Sequence, residues 1–359
     1  MTDLKEKIGQ MFMVGLKGEA LTQEERSAIR SYRFGGFILF SHNCREPAQL
    51  ARLCRSVWET GTVHPPFIAI DQEGGRVHRL PPPFTHFPAA GSIRRRNHPD
   101  LAYKVGRATA AELTLVGINL NFAPVLDVDS NPNNPVIGDR SFGCEPEEVI
   151  RFAQPWMQGL RDGGIIPCAK HFPGHGDTDK DSHCDLPVVE KPLAELKRVE
   201  LPPFVRACTD GIESLMTAHV LFRSLDGARP ATLSQAIIGG LLRQELGYDG
   251  VVYSDDMEMK AISDNYGLEE SALLAVRAGI DMLVYGHELA RAVDAFELLY
   301  SEAERDPLLL SRVEQSHGRI AKLKQRVLKT FAASGDDKVE QRLRRLDHQK
   351  IMEQFHGSL

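Results

Sequence analysis

Eight short apolar runs, each followed by polar residues and then by helical periodicity, constrain this chain more than any other feature. The runs occupy 11–16, 37–40, 67–70, 120–125, 165–169, 215–218, 251–253 and 282–285, several of them entered through glycine, as at Gly35-Gly36, Gly163-Gly164 and Gly250. Near-continuous apolar runs suit parallel strands covered on both faces, whereas a half-exposed strand would alternate. Amphipathic stretches at 47–60, 101–116, 146–162, 193–210, 234–246 and 268–278 separate them. Alternating βα units numbering eight predict an α/β chain folded as one (β/α)8 TIM-type barrel. No G-x-G-x-x-G follows the first run, which argues against a dinucleotide fold. The barrel, as a catalytic domain, is expected over 1–332, with a linker and a charged helical tail at 333–359, a peripheral or dimer-contacting segment.

The charge balance narrows the partners. A formal net charge of −6 without a basic cluster disfavours nucleic acid or an anionic membrane surface as the main ligand. No segment reaches the ~18 unbroken apolar residues of a membrane span, and Met1-Thr-Asp-Leu-Lys-Glu-Lys has no apolar signal core. The expectation is a cytoplasmic protein, a monomer or weak homodimer. Its six cysteines, Cys44, Cys54, Cys144, Cys168, Cys184 and Cys208, show no C-x-x-C and read as reduced thiols.

The chemistry sits where the runs end, which in a barrel is the C-terminal rim. The third run ends at Asp71, followed by Gln72-Glu73-Gly74-Gly75-Arg76-Val77-His78-Arg79. The fifth runs into Lys170-His171-Phe172-Pro173-Gly174-His175-Gly176, the sixth ends at Ala218-His219, and the seventh at Ser254-Asp255-Asp256. Charged groups at converging strand ends lose solvation, so they must be paired or functional. The loop Asp177–His183 adds Asp181 and His183 two positions apart. In extended chain such side chains face the same way, so Asp181 can orient His183 as a general acid/base.

These blocks resemble the family 3 glycoside hydrolases, within them the single-domain NagZ-type β-N-acetylglucosaminidases. The resemblance rests on Lys170-His-Phe-Pro-Gly-His-Gly, Asp181-Ser-His183 with Leu186-Pro187, Asp71-Gln-Glu-Gly-Gly-Arg-Val, and Gly138-Asp-Arg140-Ser-Phe. Met216-Thr-Ala-His219, Ser254-Asp255-Asp256-Met257 and Ala278-Gly-Ile-Asp-Met-Leu complete it, all in family order. It implies a retaining exo-β-N-acetylglucosaminidase that needs no cofactor or metal. Asp255 corresponds to the nucleophile, His183 to the acid/base, and Asp181 to its orienting partner. Asp71, Arg79, Arg140, Lys170 and His171 match sugar-binding positions, and His219 a residue lining the site. The implied substrate is an N-acetylglucosamine-containing glycoside or muropeptide fragment met in peptidoglycan recycling.

Plainer readings compete at several positions. Asp255 and Asp256 can cap a helix starting near Met257, the reading favoured for Asp256. His171 and His175 with Asp177 or Asp179 have a spacing that a metal could use, which a metal-dependent amidohydrolase would exploit. His219 alone reads as a core histidine, and Arg79 and Arg140 as surface ion-pair residues. Glu73 is a second candidate acid/base. A family 3 phosphorylase is the nearest rival, because a histidine acid/base does not repel phosphate as a carboxylate would; a β-glucosidase and a catalytically inactive sugar-binding barrel are others.

Overall fold

The computed structural model describes residues 3–60, 64–182, 185–328 and 338–356. Eight parallel strands close into a barrel: β1 Phe12–Gly15, β2 Gly36–Leu39, β3 Phe67–Ile70, β4 Leu120–Asn121, β5 Ile166–Phe172, β6 Ser214–Thr217, β7 Val251–Asp256 and β8 Met282–Tyr285. Each pairs with its sequence neighbours, and β1 closes on β8 through Val14 against Tyr285. The strands are buried along almost their whole length, the environment that apolar runs without alternation require. Phe67, Phe122 and Tyr253 meet edge to face inside the barrel, with ring centroids 5.3–6.3 Å apart. All eight expected runs are therefore strands of one barrel.

Local chemistry sets where elements stop. The run at 120–125 yields only two ladder residues because Pro124 has no N–H to donate, although Val125 still bridges to Lys170. The stretch 193–210 divides into Leu193–Arg198 and Pro202–Thr209, since Pro202-Pro203 cannot continue a helix but starts one readily. Helices Pro47–Trp58, Pro99–Val116, Pro146–Asp162 and Pro307–Val327 also open on proline. Helix Gln23–Tyr32 opens on a Thr22/Glu25 capping box. The stretch 234–246 is helical over Ala236–Glu245 with wider π-type winding, as in the bond from Leu246 N to Leu241 O at 2.9 Å.

The C-terminal tail packs onto the barrel domain. Helix Val339–Arg345 sends Val339 and Leu343 into the main core, a burial worth ~1.5–3 kcal/mol per side chain. His348 Nδ1 lies 3.0 Å from the buried Glu112 carboxylate, which also accepts from the Thr85 amide and hydroxyl. The tail thus braces the long loop after β3. Among the described residues no helix is long and apolar enough to cross a membrane, and the five described cysteines are free.

Candidate active site

The strand ends converge on a cleft of about 200 Å³ at the C-terminal mouth of the barrel. Asp71, Glu73, Arg79, Arg140, Lys170, His171, Asp255 and Asp256 form its polar wall, and Ile38, Phe40, Phe122, Met216 and Val284 its apolar wall. Six of the nine site residues expected from sequence therefore share one cavity. Asp181 adjoins Ser182, which lines it. His219 stands behind it, fully buried, with Nδ1 2.8 Å from Thr232 Oγ1 and Nε2 2.9 Å from the Asp256 carbonyl. His183 lies outside the described residues.

A chain of alternating charges organises the polar wall. Lys170 Nζ sits 2.7 Å from both Asp71 Oδ1 and Glu73 Oε1, and Arg140 grips Glu73 with two bonds of 2.9 Å. The planar guanidinium fork suits this bidentate contact, so Arg140 is an ion-pair residue buried in the wall. Burial pushes the Glu73 carboxyl up, yet the Arg140 and Lys170 charges outweigh it and hold Glu73 well below the usual carboxylate range. Burial likewise works against the Lys170 ammonium, and Asp71 and Glu73 more than compensate. Both Glu73 oxygens face cations, an arrangement that favours the anion and argues against a general-acid role. Arg79 approaches Asp71 at 3.9 Å, and its buried Nε has no hydrogen-bond partner among the described residues. A ligand hydroxyl in the cleft would supply that acceptor.

Asp127 forms a second layer that the motifs did not single out. Its Oδ2 lies 2.6 Å from His171 Nδ1, and Oδ1 accepts from the backbone N–H of His171 at 3.1 Å and of His175 at 2.7 Å. Burial raises the Asp127 carboxyl, but the adjacent His171 overrides it and the net shift is downward. With Nδ1 anchored, the His171 ring is held against the cleft in one orientation. The available signal was position: Asp127 follows the fourth apolar run as Asp71 follows the third.

The loop carrying Asp181 is fixed from both flanks. His175 binds Thr178 Oγ1 through Nδ1 at 2.8 Å and Ser182 Oγ through Nε2 at 3.1 Å. Burial, then the neighbouring His171, lowers the His175 pKa to about 4, so it is neutral at pH 7. Asn134 donates to the His175 carbonyl at 2.8 Å. Gly176 approaches Val128 so closely that a Cβ would stand 1.6 Å from its carbonyl oxygen, which only glycine permits. Asp177, which the metal reading would use, pairs with Lys191 at 3.0 Å. Among the described residues no three acidic, histidine or cysteine side chains are grouped as metal ligands.

The two carboxylates ending β7 have different surroundings. Asp255 Oδ1 accepts from the Asp256 amide at 2.8 Å. Asp256 accepts from the Glu258 amide at 3.0 Å, capping the turn as a short polar side chain does; the helix that follows, Lys260–Ser263, has Met259 at its N-cap. Burial, then the nearby Glu258 and Asp255 charges, raises Asp256 to about 7. The upward shift disfavours the anionic form of Asp256, the form a nucleophile needs.

Comparison with known proteins identifies the family. Residues 3–323 match the family described as "Glycosyl hydrolase family 3 N terminal domain". A "Beta-hexosaminidase" of Alkalilimnicola ehrlichii is 40% identical over 318 residues, covering 86% of this chain and 88% of that protein. A solved glycoside hydrolase family 3 beta-N-acetylglucosaminidase from Paenibacillus sp. superposes with a TM-score of 0.88 at 40% identity, over 96% of this chain and 68% of that one. A Beta-N-acetylhexosaminidase from Beutenbergia cavernae superposes with a TM-score of 0.86 at 28% identity, over 90% and 99%. With a matched barrel, the rim motifs in order and a charged cleft at the strand ends, the chain belongs to glycosyl hydrolase family 3.

Proposed function

We propose that the protein is a retaining exo-β-N-acetylglucosaminidase in which Asp255 attacks the anomeric carbon and His183 serves as general acid, then base. The observation that carries this reading is the placement of Asp255 in the same small cleft as the Asp71–Lys170–Glu73–Arg140 charge chain. A cavity of about 200 Å³ with a charged wall and an apolar wall matches one pyranose, whose hydroxyls need paired donors and acceptors and whose faces are apolar. That scale favours a terminal sugar over an internal one. Asp71, Arg79, Arg140, Lys170 and His171 hold the ring, with Asp127 and Glu73 fixing His171, Lys170 and Arg140. His219 supports the strand end that carries Asp255 and Asp256.

The chemistry follows from charge. Asp255 forms the glycosyl ester while His183, oriented by Asp181, protonates the departing oxygen. His183 then deprotonates the water that cleaves the ester. A histidine acid/base adds no further carboxylate to the Asp255–Asp256 pair, where like charge already raises the Asp256 pKa. The residues require no cofactor. We further infer a barrel over 1–332 with a bracing tail at 333–359, acting in the cytoplasm as a monomer or weak homodimer on muropeptide fragments during peptidoglycan recycling.

Aryl β-glycosides of N-acetylglucosamine, glucose and xylose, assayed with and without phosphate, test the reading. Preference for N-acetylglucosamine with water as acceptor and a β-configured first product supports it. A sugar 1-phosphate product would make the protein a phosphorylase, preference for glucose a β-glucosidase, and loss of activity on chelation a metal enzyme.

A further inference from the structure

A second cavity, of about 520 Å³, lies on the outer side of the loop segment that carries Arg79. Gly74 and Gly75, both with positive φ, turn the chain so that Glu73, Val77 and Arg79 face the cleft while Gly75 faces this outer cavity. Its floor is apolar: Phe87 and Pro88 from the loop, Met352 and Phe355 from helix Gln349–His356. Its rim is cationic, with Arg95 and Arg96 beside His86, and no carboxylate is among the described residues lining it. In a chain of net charge −6 that imbalance stands out. Arg96 donates to the Phe355 carbonyl and Arg95 to Ser92 Oγ at 2.6 Å, so among the described residues most of their N–H donors have no acceptor, since each guanidinium carries five. Guanidinium forks select carboxylate or phosphate oxygens, and the floor selects an apolar body.

Contacts also join this cavity to the cleft. The His86 ring stacks on His78 at 4.2 Å between centroids. His78 Nδ1 accepts from Gln72 Nε2 at 2.6 Å, and Gln72 Oε1 accepts from the Arg79 amide at 3.0 Å. A group bound against His86 therefore bears on the segment that sets the position of Arg79.

We propose that this cavity binds a small amphipathic anion, an aromatic or acyl group bearing a carboxylate or phosphate, and that its occupancy is felt at Arg79. Binding of indole-3-acetate to the full-length protein is measured by calorimetry or saturation-transfer NMR, with indole-3-acetamide as the uncharged control. The acetate should bind at least about tenfold more tightly than the amide and weaken with salt. Arg95→Glu should weaken it by a similar factor, and Phe355→Ala independently, with basal activity unchanged in Arg95→Glu. No binding at millimolar concentration, or equal binding to Arg95→Glu, would overturn the site.

The kinetic arm rests on the reading of Arg79 as a sugar-contacting residue; the binding arm does not, so the two fail separately. Saturating indole-3-acetate should shift KM for an aryl glycoside with kcat nearly constant, and an unchanged KM would overturn the coupling. Two sources of the anion are separable. A separate ligand shifts KM of the short aryl substrate, whereas an anion borne by the substrate gives Arg95→Glu a raised KM only on acidic aglycones.

Discussion

Exchanging Glu73 for Gln separates a structural anion from a catalytic acid. Glu73 accepts two bonds from Arg140 at 2.9 Å and one contact from Lys170 at 2.7 Å, almost fully buried. Gln keeps the shape but loses the charge and turns an N–H2 toward two cations. Removing one partner of a buried ion network typically costs ~3–5 kcal/mol. An unfolding entropy of roughly 2.1 cal/mol/K per residue over 359 residues gives about 0.75 kcal/mol per degree, so Tm should fall by about 4–7 °C. The sign with pH follows from the depressed folded pKa. The stability Glu73 contributes is complete above its unfolded value of ~4.3 and declines as pH falls below it toward the folded pKa, so wild type and Glu73→Gln should converge in acid. Kinetically, the loss should be equal on an N-acetylglucosamine disaccharide and on a nitrophenyl glycoside, because misplaced Lys170 and Arg140 affect both. Scanning calorimetry across pH and steady-state kinetics on both substrates provide the readouts. A variant with unchanged Tm, or one crippled on the disaccharide and spared on the nitrophenyl substrate, would refute this reasoning and make Glu73 the acid.

Other expectations are equally direct. His183→Ala should lose ~10²–10⁴-fold on a disaccharide while nearly sparing the first step on an activated aryl glycoside, with a burst and with azide accelerating turnover; equal losses and no azide effect would move the role elsewhere. Asp181→Asn should show the same pattern more weakly. Lys324 is buried against Gln10 Oε1, the Gly35 carbonyl and the Phe67 ring, and burial, working against the Glu6 charge, lowers it to about 7. Its unfolded value is ~10.4, so between these two values the unfolded chain binds more protons and stability rises with pH. Lys324→Met should remove that slope between pH 7 and 10 in chemical denaturation, and an unaltered slope would sink the assignment.

The barrel was legible because parallel strands buried on both faces leave apolar runs that need no alignment to see. The strands Val188–Val189 and Leu221–Phe222, which pair with each other, were not, since two residues make no pattern. Rim residues were legible where a charge ends a run, as at Asp71, Lys170 and Asp255. Their partners were harder to find: Asp71 meets Lys170 across 99 positions and Glu73 meets Arg140 across 67. Asp127, at an equivalent strand end, lies outside the motif blocks, and its bonds to His171 appear only once β4 and β5 are adjacent. The tail gave a charged amphipathic pattern, whereas its burial depends on a surface formed by helices Pro47–Trp58 and Pro99–Val116.

The central claim is that Asp255, and not its neighbour Asp256, whose carboxyl burial pushes up, forms the covalent intermediate. A 5-fluoro N-acetylglucosaminyl derivative with a good leaving group keeps the 2-acetamido group and traps that ester, and peptide mass mapping locates it. The account predicts one label, on Asp255, with Asp255→Ala folded but inactive and unlabelled, while Asp256→Ala keeps substantial activity and still labels at Asp255. A label on Asp256, or an Asp255→Ala variant that still turns over, would contradict it.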